Sequence, residues 1–456
     1  MTVSYSDRSV LVAGAGVAGA AVAEVLLRLG ARVTVTDRAL SARTEALSAL
    51  GAKVTVGLAA LPAGIDQVVT SPGWRPDNPL LRDAAARGVE VIGEIELAWR
   101  LRSSPVSGRP AAPWLAITGT NGKTTTVEML AGMLRAAGLR AVAAGNVGRP
   151  LVGAVVGLEP YDVLAVELSS FQLYWTSTVA PAAATILNLA PDHLDWHGSL
   201  AAYAAAKAKI WAPGTFAVRN ADDAWSVRLS GDLPGAAYTL GEPADGQLGV
   251  VDGTLVDRAF GHGAFATVAG LPVTGPHNVA NALAAAALAF AYDVPPSAVS
   301  AGLAGFEAGP HRNTRIGAVD GITYVDDSKA TNPHAAAASL VAYDRVVWVA
   351  GGLLKGADVD DLVAEVAGRL AGVVLMGADR AVIARALARH APDVPVVEVG
   401  RTDDGAMADV VAVASRLARP GDVVLLAPAA ASMDMFSDYA ARGAAFVQAV
   451  RALGEA

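Results

Sequence analysis

Cysteine is missing altogether from the 456 residues. Disulfides, thiolate metal sites and a cysteine nucleophile are therefore excluded. Charge is scarce too: Asp, Glu, Lys and Arg make up 17% of the chain, and 43 acidic against 35 basic residues leave a net charge of −8. A nucleic-acid partner would need a basic surface, so none is expected. Small anionic ligands need only local Lys and Arg and stay allowed. The most apolar segment, 279–292, is too short and too alanine-rich to span a bilayer, so no membrane insertion is expected. Residues Met1 to Asp7 show no basic start followed by an apolar run, so no signal peptide is expected and the chain reads as cytoplasmic. What is present is apolar and small: 53% hydrophobic residues and 47 glycines. That suits α/β layers with closely packed helices, with room for about three domains at roughly 100–200 residues each.

Strands alternate with helices in three blocks, the pattern of parallel sheets with crossovers. The first, 1–102, begins with a strand at 9–13, a glycine turn, a helix at 19–29 and a strand at 32–36. Further strands are expected at 53–56, 67–70 and 89–92. The Pro/Ser/Gly stretch Arg102 to Pro113 reads as a linker. The second block, 103–309, has buried strands at 114–118, 163–167 and 185–189. It closes with an alanine-rich helix after Pro276 and a shorter one near 297–303. The third, 310–456, shows strands at 322–325, 345–350, 372–375, 396–399 and 422–426. The expected architecture is α/β in three domains with mainly parallel sheets: Rossmann-like at both ends and P-loop ATPase-like in the middle.

Chemistry concentrates first at Gly119-Thr120-Asn121-Gly122-Lys123-Thr124-Thr125, between an apolar run and a helix-like segment. Loop N–H groups and a helix N-terminus would cradle a phosphate, Lys123 would add a point charge, and Thr124 would hold Mg²⁺. Ile117 stands where the full Walker pattern has a glycine, so the fit is to a shorter variant. In the first block, Gly14-Ala-Gly16-Val-Ala-Gly19 follows a strand and Asp37 ends the next. A helix N-terminus for a diphosphate and a carboxylate near a ribose or base suit a UDP-type ligand as well as NAD. Ser71-Pro72-Gly73 adds N–H groups to the same diphosphate, or is a plain turn.

In the second block Glu167 ends a strand, with Ser169 just beyond, and Asp192-His193 follows another strand end. Glu167, His193 and Thr124 offer hard ligands to Mg²⁺. Lys207 and Lys209 share a helix of small residues. Two residues turn a helix by about 200°, so only one of these lysines faces a site beside the phosphate loop. Asn278 and Asn281, at a helix start, read an adenine edge or merely cap. In the third block His311-Arg312, Asp326 to Asn332 (with Asp327, Lys329 and Thr331), Lys355, and Ser432-Met433 fall at element ends. Each alone is a solvated loop; together on one sheet edge they suggest a substrate domain.

Thr118 to Thr125, Glu167 to Gln172, Asp192-His193, His277-Asn278 and Asp327 to Asn332 stand in one order that resembles the ATP-dependent Mur ligases over essentially the whole chain. The Asp-Ser-Lys-Ala-Thr-Asn run, Ser71-Pro72-Gly73 and Gly351-Gly-x-x-Lys355-Gly resemble the D-glutamate-adding members of that family. The resemblance implies ligation of D-glutamate to UDP-N-acetylmuramoyl-L-alanine with ATP and two Mg²⁺ ions, through an acyl phosphate, in peptidoglycan precursor synthesis. A monomer is expected.

It also implies roles. Gly14, Gly16, Gly19, Ser71, Pro72 and Gly73 would face the UDP diphosphate, Asp37 or Arg38 the uracil, and Asn146 and Ser169 the muramoyl-alanine part. Lys123 and Thr124 would take the ATP phosphates and Mg²⁺, and Glu167 and His193 further metal. Asn278, Asn281, Arg312 and Asp327 would surround the adenosine. Lys329, Thr331, Lys355, Ser432 and Met433 would line the D-glutamate pocket. The spacing Tyr203-Ala-Ala-Ala-Lys207 selects Lys207 for carbamylation by CO₂ and metal binding. Two departures stand out: Tyr439 where the family often has Phe, and no cysteine in the Ala427 to Ser432 loop. Three rivals remain: a related ligase with another acceptor, an NAD-dependent oxidoreductase and a non-catalytic ATP-driven switch.

Overall fold

The computed structural model describes residues 4–103, 110–157, 159–273, 275–307, 309–403 and 405–455. Short runs of branched apolar residues form the strands, because such side chains pack well on a pleated surface buried on both faces. The first sheet has five parallel strands, in the order Lys53–Val54, Arg32–Thr36, Ser9–Ala13, Gln67–Thr70, Glu90–Gly93. Val12 sits in register between Val35 and Val69. The chain winds outward from Ser9–Ala13 first one way and then the other. Ligands of such sheets bind in the crevice at the carboxyl ends where that reversal occurs.

The second sheet has nine strands, ordered Gly263–Thr267, Thr254–Asp257, Gln247–Val251, Gly235–Tyr238, Phe216–Asn220, Ala183–Ile186, Trp114–Thr118, Val163–Glu167, Ala141–Gly145. Its body is parallel as expected, but the strands between Gln247 and Thr267 pair antiparallel at one edge. The cause is local: Asp252-Gly253, both at positive φ (+46° and +72°), joins Val251 to Thr254 in a two-residue hairpin. The third sheet has six strands, ordered Thr314–Val319, Ile322–Asp326, Val423–Leu426, Val346–Gly351, Leu370–Met376, Val396–Glu398. Asp320-Gly321 makes the same kind of turn, so Thr314–Val319 is its one antiparallel strand among the described residues.

Small side chains let helices come close. In the helix Pro276–Phe290 every residue from Ala282 to Ala289 is fully buried. A Cβ on Gly302 would lie 2.5 Å from Met133 Cα, so the helices Pro296–Ala304 and Lys123–Ala136 touch backbone to backbone. The expected linker at 102–113 falls largely on residues 104–109, which lie outside the described residues.

Two compact units result. Met1–Leu189, Ala201–Gly270 and Ala280–Phe306 form one, carrying the first two sheets; Ala190–Leu200, Leu271–Val279 and Glu307–Ala456 form the other, carrying the third. Within the first unit the helix Glu94–Leu101 joins the sheets. Its Ile95, Leu97, Ala98 and Leu101 share one apolar cluster with Trp114, Leu151 and Leu173. Two buried carboxylates pin it: Glu94 accepts from the Val152 N–H at 2.6 Å, and Glu96 from the N–H groups of Ser177 (2.8 Å) and Thr178 (3.0 Å). Burial pushes the Glu94 carboxyl up to about 7, against the pull of the Val152 and Leu151 N–H groups. In the second unit Trp348, on the strand Val346–Gly351 of the third sheet, is fully buried and donates to the Ala427 carbonyl at 2.7 Å. Among the described residues no helix is long and apolar enough to cross a membrane.

Candidate active site

The phosphate loop leaves the carboxyl end of Trp114–Thr118 and enters the helix Lys123–Ala136. Gly122 lies at φ +84°, and a Cβ there would meet Asn281 Oδ1 at 2.3 Å, so only glycine serves. Asn188 braces the loop, accepting from the Asn121 N–H at 2.9 Å and donating to the Asn121 carbonyl at 3.2 Å. Asn281 accepts from the Thr126 hydroxyl at 3.2 Å. It lies in the second turn of the helix Pro276–Phe290, past the capping position. Lys123 folds back on its own loop, its Nζ donating to the carbonyls of Gly119 (2.9 Å) and Thr120 (2.8 Å). Thr124 and Thr125 are buried in the first turn.

Lys207 is 1% exposed, and its Nζ donates to the same Gly119 carbonyl at 2.7 Å, with the Tyr203 ring centre 4.5 Å away. The Tyr203 hydroxyl lies 3.1 Å from Thr120 Oγ1. Lys209 points elsewhere, donating to the carbonyls of Tyr174 (2.6 Å) and Thr176 (3.0 Å). Helical spacing thus separates the two lysines as expected. Glu167 sits in register beside Ile117, at the root of the loop. Its Oε1 accepts from Asn146 Nδ2 at 2.7 Å, while its buried Oε2 has no hydrogen-bond partner. A bare, buried carboxylate oxygen beside a phosphate loop is the donor a hard cation seeks. Ser169 caps the short helix Ser170–Tyr174, accepting from the Gln172 N–H at 3.2 Å.

At the first sheet's reversal, Gly14 is at φ +97° and a Cβ on Gly19 would meet the Gly14 carbonyl at 1.8 Å, whereas one on Gly16 would meet nothing within 4 Å. The Ser71 hydroxyl donates to the Gly14 carbonyl at 3.2 Å, drawing the two strand ends together. Asp37 accepts from the N–H groups of Ala15 and Arg38, each at 2.6 Å. Asp37, Arg38 and Gly73 line a cleft of ≈ 590 Å³ with Trp74, Arg75 and Asn78. That volume suits a nucleotide-sized ligand. Pro72, half-buried, lies between Ser71 and Gly73. Trp74 and Asn78 carry no spacing signal, and the sequence reading missed them.

In the second unit the candidate loops leave three neighbouring strand ends. Asn332 caps the helix Pro333–Leu340. Asp327 accepts from the Asn313 N–H at 3.1 Å, and desolvation pushes its carboxyl up to about 6. Arg312 stands two residues before Thr314–Val319 and acts on Asp327 through its charge. Lys329 lies 3.8 Å from the Tyr439 ring centre. The Thr331 N–H donates to the Lys329 carbonyl at 2.8 Å. Lys355 is exposed at φ +55°. Its loop is bonded to the one holding Ser432 through Leu353 and Ala431, at 2.8 and 2.9 Å. Ser432 is buried and Met433 exposed. His193, at φ +52°, precedes the short helix Leu194–His197, its Nε2 lying 3.5 Å from Asp192. Asn278 is buried in the first turn of Pro276–Phe290. A further residue escaped the sequence reading: Arg442, on the helix Tyr439–Glu455, is 1% exposed.

Three domain models match in order: the Mur ligase MurD-like N-terminal domain at residues 8–93, the Mur ligase middle domain at 117–289 and the Mur ligase glutamate ligase domain at 311–430. The UDP-N-acetylmuramoylalanine–D-glutamate ligase of Thermobifida fusca is 57% identical, over 98% of each chain. The enzyme of that name from Streptomyces coelicolor is 54% identical over 100% of each. Among solved structures, UDP-N-acetylmuramate-alanine ligase MurC from Thermotoga maritima aligns with a TM-score of 0.62 at 20% identity, covering 98% of this chain and 99% of that one. MurF ligase from Thermotoga maritima, in complex with ADP, aligns at 0.58 and 16% identity, covering 99% and 96%. These distant structures share the fold. The ordered domains and the relatives identical at more than half of all positions decide kinship: this chain belongs to the Mur ligase family.

Proposed function

We propose that this protein ligates D-glutamate to UDP-N-acetylmuramoyl-L-alanine with hydrolysis of ATP to ADP, a cytoplasmic step of peptidoglycan synthesis carried out by a monomer. The observation that carries this reading is 57% identity along the whole chain to a ligase of that name. The domain boundaries proposed are 1–102, 103–309 and 310–456, for the UDP substrate, ATP and the amino acid. Gly14, Gly16, Gly19 and Ser71 to Gly73 face the diphosphate, with Asp37 or Arg38 at the uracil; the nucleotide-sized cleft beside Asp37 supports this. Asn146 and Ser169 meet the muramoyl-alanine part. Asn278, Asn281, Arg312 and Asp327 surround adenosine.

An amide does not form from a free carboxylate at neutral pH without activation. The L-alanyl carboxylate attacks the ATP γ-phosphorus, the bond to ADP breaks, and an acyl phosphate forms. The neutral amine of D-glutamate then attacks the acyl carbon and phosphate leaves. The first step brings two anions together, and Lys123 offsets their repulsion at the transferring phosphoryl group. Lys329, Thr331, Lys355, Ser432 and Met433 hold the amino acid, with Lys355 facing its second carboxylate.

Thr124, Glu167, His193 and a carbamylated Lys207 would hold two Mg²⁺ ions; the partnerless Glu167 Oε2 fits that role. When bound, Mg²⁺ neutralises charge on the phosphate oxygens. Lys123 and Lys207 both donate to the Gly119 carbonyl, so two like charges converge there. Carbamylation, in which the Lys207 amine adds to CO₂ and releases a proton, turns one of them into an anion. The reading is tested by ADP release. It requires both UDP-N-acetylmuramoyl-L-alanine and D-glutamate, and release with either one alone, or with L-alanine in place of D-glutamate, refutes it.

A further inference from the structure

Arg442 is the largest charged side chain fully inside the second unit, and no step above uses it. Its guanidinium reaches three loops at once. Nε donates to the Ser328 hydroxyl (3.0 Å) and Nη2 to the Ser328 carbonyl (2.9 Å); Nη1 donates to the carbonyls of Ala430 (3.0 Å) and Gly351 (3.5 Å). Those loops carry Lys329 and Thr331, Ser432, and Lys355 respectively.

All these partners are neutral oxygens. Burial lowers the guanidinium to about 10, which leaves it charged at neutral pH, with Asp434 and Asp326 helping through space. A buried cation held mainly by neutral acceptors is a poor way to gain stability, since apolar residues of similar volume often do as well or better. What a guanidinium offers is geometry: five N–H groups in a rigid planar fork, which an ammonium lacks. The helix Tyr439–Glu455 extends the clamp. The Ser328 hydroxyl donates to the Tyr439 carbonyl at 2.8 Å while accepting from Arg442. The Tyr439 ring, one turn before Arg442, meets Lys329.

We infer that Arg442 is a positioning residue for amino-acid recognition: it fixes the relative placement of the three loops that grip the incoming amino acid and its second carboxylate. This rests on the D-glutamate reading above. The test uses the full-length enzyme with Arg442→Lys, which keeps the charge but not the fork, and Ser328→Ala, which removes one link. Arg442→Lys raises the KM for D-glutamate about tenfold, with those for ATP and the UDP substrate within about twofold. Ser328→Ala moves it the same way but less, and decides the matter if Arg442→Lys does not fold.

A unchanged KM for D-glutamate in the folded variants, or a parallel rise for all three substrates, overturns the inference and leaves the D-glutamate reading intact. A parent enzyme that releases ADP without D-glutamate overturns both.

Discussion

Lys123 and Lys207 converge on one carbonyl, that of Gly119, from opposite ends of the sequence argument. Lys123 was legible from a glycine-rich turn; helical spacing showed only that Lys207 and Lys209 face apart, and the resemblance to the Mur ligases selected Lys207. On the proposed mechanism, replacing Lys123 by Ala would remove the nearest fixed cation from the transferring phosphoryl group. Turnover should fall by about 100-fold or more while circular dichroism stays unchanged. Lys207→Ala should be nearly inactive and partly rescued by a small carboxylic acid in the buffer. Lys209→Ala should keep near-normal ADP release and lose only about 1 kcal/mol in thermal unfolding, the worth of its bonds to Tyr174 and Thr176. A dead Lys209 variant would reverse the assignment. Arg442 could not be read from sequence. A buried arginine runs against the usual burial pattern, and a guanidinium that grips backbone carbonyls leaves no spacing of side chains to detect.

At the level of elements, most parallel strands announced themselves as short apolar runs, and their carboxyl ends located most candidate residues, but the parallel strands Ala141–Gly145, Phe216–Asn220 and Gly235–Tyr238 went unread because alanine and glycine dilute their apolar character. The antiparallel edges did not. Their signals, Asp252-Gly253 and Asp320-Gly321, were in the sequence, but the flanking strands are half-buried and lack the continuous apolar character of the others. Glycines differ in kind within one turn. Gly19→Ala drives a Cβ into the Gly14 carbonyl and should destabilise the protein by about 2 kcal/mol or more in denaturant unfolding. Gly16→Ala meets open space, so it should fold as the parent does yet bind a UDP-sugar more weakly by calorimetry. Equal stability of the two variants would contradict the geometry.

For the molecule as a whole, three blocks were expected and three sheets are present, but the first two share a core through Glu94–Leu101. Nothing in hydrophobic period distinguishes a helix that serves one sheet from a helix that serves two. The buried Glu94 makes that junction sensitive to pH. Its folded value, about 7, lies above the ordinary 4.5, so the folded state holds a proton the unfolded state has released. Stability therefore falls as pH rises from about 4.5 through 7, by up to roughly 3 kcal/mol if Glu94 acts alone. Glu94→Gln should unfold at a higher temperature than the parent at pH 8 and at nearly the same temperature at pH 5. A constant difference across that range would remove Glu94 as the cause.

The folded-back Lys123 carries one more consequence. Its ammonium rests on its own loop's carbonyls and so braces the loop's shape. On the proposed reading, nucleotide binding would then be an exchange of ligands rather than a capture. Two carbonyl contacts would give way to phosphate oxygens as the anion enters. The same competition would favour a multiply charged phosphate over chloride or a lone carboxylate. On that reading the backbone itself would guard the phosphate site.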